Sequence, residues 1–147
     1  MQLRMYTDYA LRALVYVGTQ PAGPVPAATI ARAYGISADH VAKATKALTR
    51  EGFLRATRGN GGGVELAKPA SAIRIGAVVR IFENDEHLVD CHGEVSTPCR
   101  IAPSCALRRA FEKAQDAFFA ELDRYTLADV LQSRPQLVRL LRIAPTS

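Results

Sequence analysis

The chain has 147 residues, 48% of them hydrophobic, a formal net charge of +5 and three cysteines. That length suits one domain, or one small domain with a dimerisation element, and the apolar content supports a real core. No stretch approaches the roughly 18 uninterrupted apolar residues of a membrane span, the odd cysteine count argues against a secreted disulfide framework, and the basic balance fits an anionic partner without specifying one.

The N-terminus faintly mimics a signal peptide through Arg4, the run Tyr9–Val17 and Pro24-Val25-Pro26-Ala27, but Asp8 and Arg12 interrupt it. A cytoplasmic protein is therefore expected. Residues 6–18 read as a first helix, with Tyr6, Tyr9, Ala10, Ala13, Leu14 and Val17 on one apolar face. Asp8 and Arg12, four apart, share another face. Gly18 and the prolines at 21, 24 and 26 end this helix and stiffen the loop that follows. Ala27–Tyr34 reads as a short second helix stopped by Gly35. Ser37 then caps a third, from about Ala38 to Glu51, with Gly52 as terminator. Two short helices broken by a glycine turn form a helix-turn-helix pattern.

On the third helix Val41, Ala44, Thr45 and Leu48 form the inward stripe. Asp39, His40, Lys43, Lys46, Ala47 and Arg50 are left facing outward, on a helix able to enter a major groove about 12 Å wide. Leu54–Thr57 and Val64–Leu66 read as two strands joined through Arg58-Gly59-Asn60-Gly61-Gly62-Gly63, a hairpin tip whose glycines and asparagine permit positive φ. This is a wing, with Arg55 and Arg58 as phosphate or minor-groove contacts. The candidate DNA-contacting set is Ser37, His40, Lys43, Lys46, Arg50, Arg55, Arg58 and Asn60.

Ser71–Glu83 reads as a helix with Ile75, Val78, Val79 and Phe82 inward. Residues 84–104 have no period, and they hold most of the polar metal-ligand types. A long helix is expected from Cys105 to about Tyr125, with Leu107, Phe111, Ala114, Phe118, Leu122 and Tyr125 repeating at three and four. Its apolar surface exceeds what one small winged domain can cover, so it reads as the dimer contact of a two-fold DNA reader. Thr126–Leu131 and Pro135–Leu141 read as short closing helices. The expected organisation is a winged helix-turn-helix domain over 1–83, a ligand loop over 84–104, a dimerisation helix over 105–128 and closing helices over 129–147.

Cys91, Cys99 and Cys105, the only cysteines, are spaced C-x7-C-x5-C, in a segment that also carries His87, Asp90, His92 and Glu94. Three thiolates can hold an iron–sulfur cluster and leave one position for a different ligand. They also suit zinc with a histidine or aspartate, or a thiol redox switch, or they are unconnected thiols. The outward cations of the third helix have an ordinary reading as solvated surface, and the long helix has one as intrachain core. There is no catalytic triad, no phosphate loop and no nucleotide fingerprint. The Gly59–Gly63 run lacks a following Gly-Lys-Ser/Thr, so an enzyme is not expected.

The opening Met5-Tyr6-Thr7-Asp8-Tyr9-Ala10-Leu11-Arg12, the wing Arg58–Gly63, the three-cysteine loop and Asp123-Arg124-Tyr125-Thr126-Leu127-Ala128-Asp129 together resemble the Rrf-two family of winged-helix regulators. Within it they resemble the nitric-oxide-sensing NsrR type. The resemblance runs from residue 2 to about residue 131. It implies a mostly α fold: a winged helix-turn-helix with a long dimerisation helix, in an intertwined homodimer. It implies a repressor that binds palindromic operator DNA while a 4Fe–4S cluster is intact, with nitric oxide as the signal. Cys91, Cys99 and Cys105 would supply the thiolates, and Asp8 of the other subunit the fourth ligand. Asp8 has a simpler reading too, as a helix-start carboxylate paired with Arg12, and His87 and His92 are substitute ligands. The family's IscR type holds a 2Fe–2S cluster with a histidine three residues after the last cysteine, a position filled here by Arg108. The alternatives are a regulator whose cluster reports iron supply or redox state and, more remotely, a non-regulatory metal or electron-transfer protein.

Overall fold

A computed structural model describes residues 2–20, 22–83, 88–89 and 99–143. The elements run α1 (Met5–Thr19), α2 (Ala27–Tyr34), α3 (Ala38–Arg50), β1 (Leu54–Thr57), β2 (Gly63–Leu66), α4 (Ile75–Glu83), α5 (Ala106–Leu122), α6 (Leu127–Val130) and α7 (Arg134–Leu140), with single 3-10 turns at Ala70–Ala72, Ala102–Ser104 and Leu131–Ser133. The protein is mostly helical with one small antiparallel sheet, as the periodicity predicts.

α1 is the central element and packs against α3, α4, β2, α6 and α7. It buries Ala10, Ala13, Leu14 and Val17 at helical spacing, facing Val41, Ala44 and Leu48 of α3. The alanines let the backbones come close, and each fully buried leucine or isoleucine contributes about 1.5–3 kcal/mol. Ile30 from α2, Leu54 and Val64 from the hairpin, Ile73, Val78 and Leu127 complete the same core.

Local chemistry sets the boundaries of the helix-turn-helix. At the end of α2 Gly35 takes φ 65°, and the Ile36 N–H reaches back to the Ala31 carbonyl (3.0 Å). At the end of α3 Gly52 takes φ 72°, and Phe53 N–H reaches the Leu48 carbonyl (2.9 Å). Both are Schellman closures, which need a left-handed residue and favour glycine. Ser37 caps α3 by accepting from the His40 N–H at 3.5 Å. The hairpin pairs Leu54 with Leu66, Arg55 with Glu65, Ala56 with Val64 and Thr57 with Gly63. Val25 adds a bridge on the other edge of β2, exchanging both hydrogen bonds with Val64 (2.8 and 2.9 Å). A β-carbon at Gly63 would run into the Val25 carbonyl group, so this glycine serves close backbone approach, while Gly59 and Gly61 supply the positive φ of the tip.

The expected helix over Ser71–Glu83 is interrupted. Its first residues form a 3-10 turn, Ile73 is extended (φ −101°, ψ 102°), and α4 begins only at Ile75. The cause is long-range pairing: Leu127 N–H donates to the Ile73 carbonyl (2.8 Å) and Ile75 N–H to the Tyr125 carbonyl (2.9 Å). The long helix is also shorter than its periodicity suggests. Cys105 is its N-cap rather than its first residue, and it ends at Leu122, because Asp123–Tyr125 turn into that pairing.

Candidate nucleic-acid interface and cysteine site

Lys43, Lys46 and Arg50 lie exposed along one side of α3, three and four residues apart. A groove of about 400 Å³ separates this side from the wing, lined by Ala42, Thr45, Lys46, Thr49, Arg50, Ala56 and Val64. Small residues on both walls keep it open while the cations line its edge. Arg58 and Asn60 stand exposed at the hairpin tip. Among the described residues no ion pair engages Lys43, Lys46 or Arg58, so their charge faces outward uncompensated.

Other members of the expected set are otherwise occupied. Arg55 pairs with Glu65 across the hairpin (2.9 Å), a hydrogen bond that pushes its pKa further up. Arg50 pairs with its neighbour Glu51 (3.1 Å). Ser37 acts as a helix cap. His40 turns toward α1, stacking on Tyr9 (5.8 Å between centroids) and meeting Tyr6 edge-on (5.7 Å). Ala42, Thr49 and Ala56 are groove residues that sequence reasoning missed, because without charge or hydrogen-bonding reach toward a base they give no signal. For Ala42 and Thr49, spacing relative to Lys46 on the helical wheel was the available clue.

The cysteine site is described in part. Cys99 is exposed and Cys105 half-buried, and both are free thiols. A 3-10 turn brings them along one short path: Ala102 N–H donates to the Cys99 carbonyl (3.1 Å) and Cys105 N–H to the Ala102 carbonyl (3.4 Å). Cys105 sits at the start of α5. Cys91, with His87, Asp90, His92 and Glu94, lies outside the described residues. Among the described residues no three histidine, cysteine, aspartate or glutamate side chains gather in a metal-holding group. The donor chemistry nonetheless fits a thiolate-held cluster, since both described sulfurs are unbridged and accessible. Arg108 pairs with Glu112 at 3.4 Å.

Asp8 lies in the first turn of α1, half-exposed, with Arg12 at 2.9 Å; Arg12 in turn lies over the Tyr34 ring (5.5 Å). Burial pushes the Tyr34 phenol up to about 12, so it stays neutral beneath the guanidinium. The residue beside Asp8 carries a feature the sequence did not disclose. Thr7 is fully buried, and its hydroxyl donates to Glu83 Oε1, which also accepts from the Arg4 N–H (2.8 Å). Glu83, itself buried, is the last residue of α4. The start of α1 is thereby fixed to the point where the chain leaves for the cysteine segment.

A capped helix-turn-helix, a glycine-tipped hairpin beside it and an outward cationic stripe define a winged-helix DNA-binding protein. The sequence model of Rrf2, described as an iron-dependent transcriptional regulator, matches residues 3–133. The chain belongs to the Rrf2 (Rrf-two) family of transcriptional regulators. Its fold is similar to that of IscR from T. potens, with a TM-score of 0.72 at 22% identity, covering 99% of this chain and 94% of that one. It is also similar to CymR from Staphylococcus aureus (TM-score 0.68, 22% identity, 88% and 97% covered). The same holds for CymR, the global cysteine regulator of B. subtilis (0.64, 22%, 88% and 95%). Among the described residues no helix is long and apolar enough to cross a membrane.

Proposed function

We propose that this regulator is a cluster-dependent repressor of the NsrR type, with Cys91, Cys99 and Cys105 holding a 4Fe–4S cluster and Asp8 of the other subunit as fourth ligand. The observation that carries the reading is the placement of two free thiols, Cys99 and Cys105, at the root of α5. That helix has no residue buried within its own chain, and it leaves Leu107 68% and Phe111 39% exposed. Such a face calls for a partner, and a second copy supplies the two-fold arrangement a palindromic operator needs. Residues 1–83 act as the reader, 84–104 as the ligand loop, 105–128 as the dimer helix and 129–147 as closing helices. Ser37, His40, Lys43, Lys46, Arg50, Arg55, Arg58 and Asn60 form the operator-facing set, with Lys43, Lys46 and Arg58 the freest to meet phosphates.

When bound, the cluster supplies a centre that nitric oxide attacks. The chain's own residues do the rest. Asp8 exchanges its Arg12 partner for the neighbouring subunit's site, the thiols anchor the base of α5, and the Glu83–Thr7 contact carries any change in the loop to α1. A carboxylate holds soft iron less firmly than thiolate does, which suits a site that must open. The test is a nitric oxide titration of anaerobically purified protein bound to operator DNA. Stoichiometric release of operator is expected, and retention through excess nitric oxide would overturn the reading.

A second reading has its own support. The family description is iron-dependent regulation, and the cluster, in 4Fe–4S or 2Fe–2S form, would then report iron supply or redox state. In the same experiment, release on iron chelation with no response to nitric oxide selects it.

A further inference from the structure

The geometry points to a binding site for a small organic oxyanion, a carboxylate or a phosphate ester, in the cleft between α1, α2 and the C-terminal helix α7. This cavity of about 490 Å³ shares no lining residue with the groove between α3 and the wing and includes neither Cys99 nor Cys105. That volume falls within the range of about 300–1,000 Å³ usual for small-molecule sites.

Its chemistry is one-sided. The polar lining residues are Arg32, Arg142, Thr29 and Tyr16, and among the described residues no carboxylate lines it. Among the described residues neither guanidinium has an ion-pair partner, although each lies beside the other's element. Both arginines are exposed at the mouth of the cleft, where an anion would gain charge-assisted hydrogen bonds from either one. Leu140 and Leu141 supply an apolar wall suited to a small hydrocarbon body.

Two further observations point to an occupant. Tyr16 is 6% exposed, lines the cavity, and its hydroxyl has no hydrogen-bond partner among the described residues. A ligand oxygen in the cavity would give that hydroxyl a partner. Arg142 is the only non-glycine among the described residues with positive φ, at 51°. It occupies the left-handed position that closes α7, where the Ile143 N–H reaches the Val138 carbonyl (3.0 Å) and where glycine is favoured. Keeping a long cation at a strained position on the rim suggests that its side chain is needed there. An anion held by Arg32 and Arg142 would tie the end of α7 to α2 of the reader, giving a second input beside the cysteines.

Calorimetry with the full-length protein at fixed ionic strength tests this, using phenyl phosphate, 3-phenylpropionate and inorganic phosphate as probes. One site per chain is expected for phenyl phosphate or 3-phenylpropionate. Preference for the first assigns a phosphate ester, and preference for the second a carboxylate. Arg142→Gly separates binding from folding, since glycine suits φ 51°. It should melt no lower than the parent protein yet bind at least about tenfold more weakly, as should Arg32→Gln. No saturable binding of any probe, or equal binding by both variants, would overturn the proposal.

Discussion

Glu83 and Thr7 show how a single side chain can connect distant parts of this chain. The carboxylate accepts from one hydroxyl and one N–H in a buried setting, and their positions are 76 and 79 residues away in sequence. Removing such an acceptor strands two donors, at about 1–3 kcal/mol. Glu83→Ala should therefore lower the urea midpoint clearly, whereas Glu83→Gln, which keeps a carbonyl oxygen, should recover most of the loss. Equal midpoints for Glu83→Ala and the parent protein would show that the contact contributes nothing. No sequence pattern announced it, because a glutamate ending a helix before a polar stretch looks like solvated surface. His40 errs in the opposite direction. Its wheel position faces outward, but two tyrosines one helix away offer ring contacts that water does not. What was legible at this scale was local: the Ser37 cap, Gly35 and Gly52, and the Asp8–Arg12 pair all act within a few residues of themselves.

At the scale of elements, the joint between α4 and α5 gives a physical role to the segment Asp123–Asp129. Arg80 donates to both Asp123 oxygens (2.9 and 2.7 Å) and lies over the Phe119 ring (4.7 Å). Arg74 donates to the Asp123 carbonyl (2.6 Å). Thr126 and Asp129 form a capping box that starts α6, and Leu127 is buried beneath it. Gly76 is required here, because a β-carbon would strike the Asp123 carboxylate and come within 2.9 Å of the Phe119 carbonyl oxygen. The segment's pairing with Ile73–Ile75 is also why the sequence reading ran a helix straight through residues 71–83: periodicity sees an apolar face, not a backbone partner fifty residues on. The Arg80 hydrogen bond holds the Asp123 carboxyl below its usual range. A carboxyl depressed in the folded state adds stability above its unfolded pKa of about 3.9 and loses it as pH falls through the folded value. Both side chains are about a third exposed (39% and 32%), so screening limits the contribution to about 0.5–1 kcal/mol. Asp123→Asn should therefore destabilise the protein at pH 7 and converge with the parent protein as the pH falls below the carboxyl range. A constant difference across that range, followed by chemical denaturation, would show that the charge is irrelevant.

At the scale of the whole molecule, the reader domain was the most legible part. Its helices are amphipathic, its turns are written in glycine, and its hairpin is marked by the glycine-rich tip between two short strands. The cation stripe on α3 was legible for the same reason, since charges four apart share a face. The cysteine site offered a donor set, with Cys91 outside the described residues, but no geometry. Three thiols in one segment do not fix how they stand relative to one another. Under the proposed function, a dimer formed through the exposed apolar face of α5 brings one copy's thiols to the other copy's Asp8, which follows Thr7 of the Glu83 clamp. Occupancy of the thiol site would then set the separation of two operator-reading faces. Only a few kcal/mol of coupling is required, because about 1.4 kcal/mol changes affinity tenfold.

The most direct measurement compares operator affinity of anaerobically prepared protein with its iron–sulfur centre intact and after the iron is removed, at one ionic strength and with dimer content checked in both. A loss of at least about tenfold is expected on iron removal, reproduced in iron-loaded protein by replacing Asp8 with alanine. Equal affinities for the two forms would contradict it.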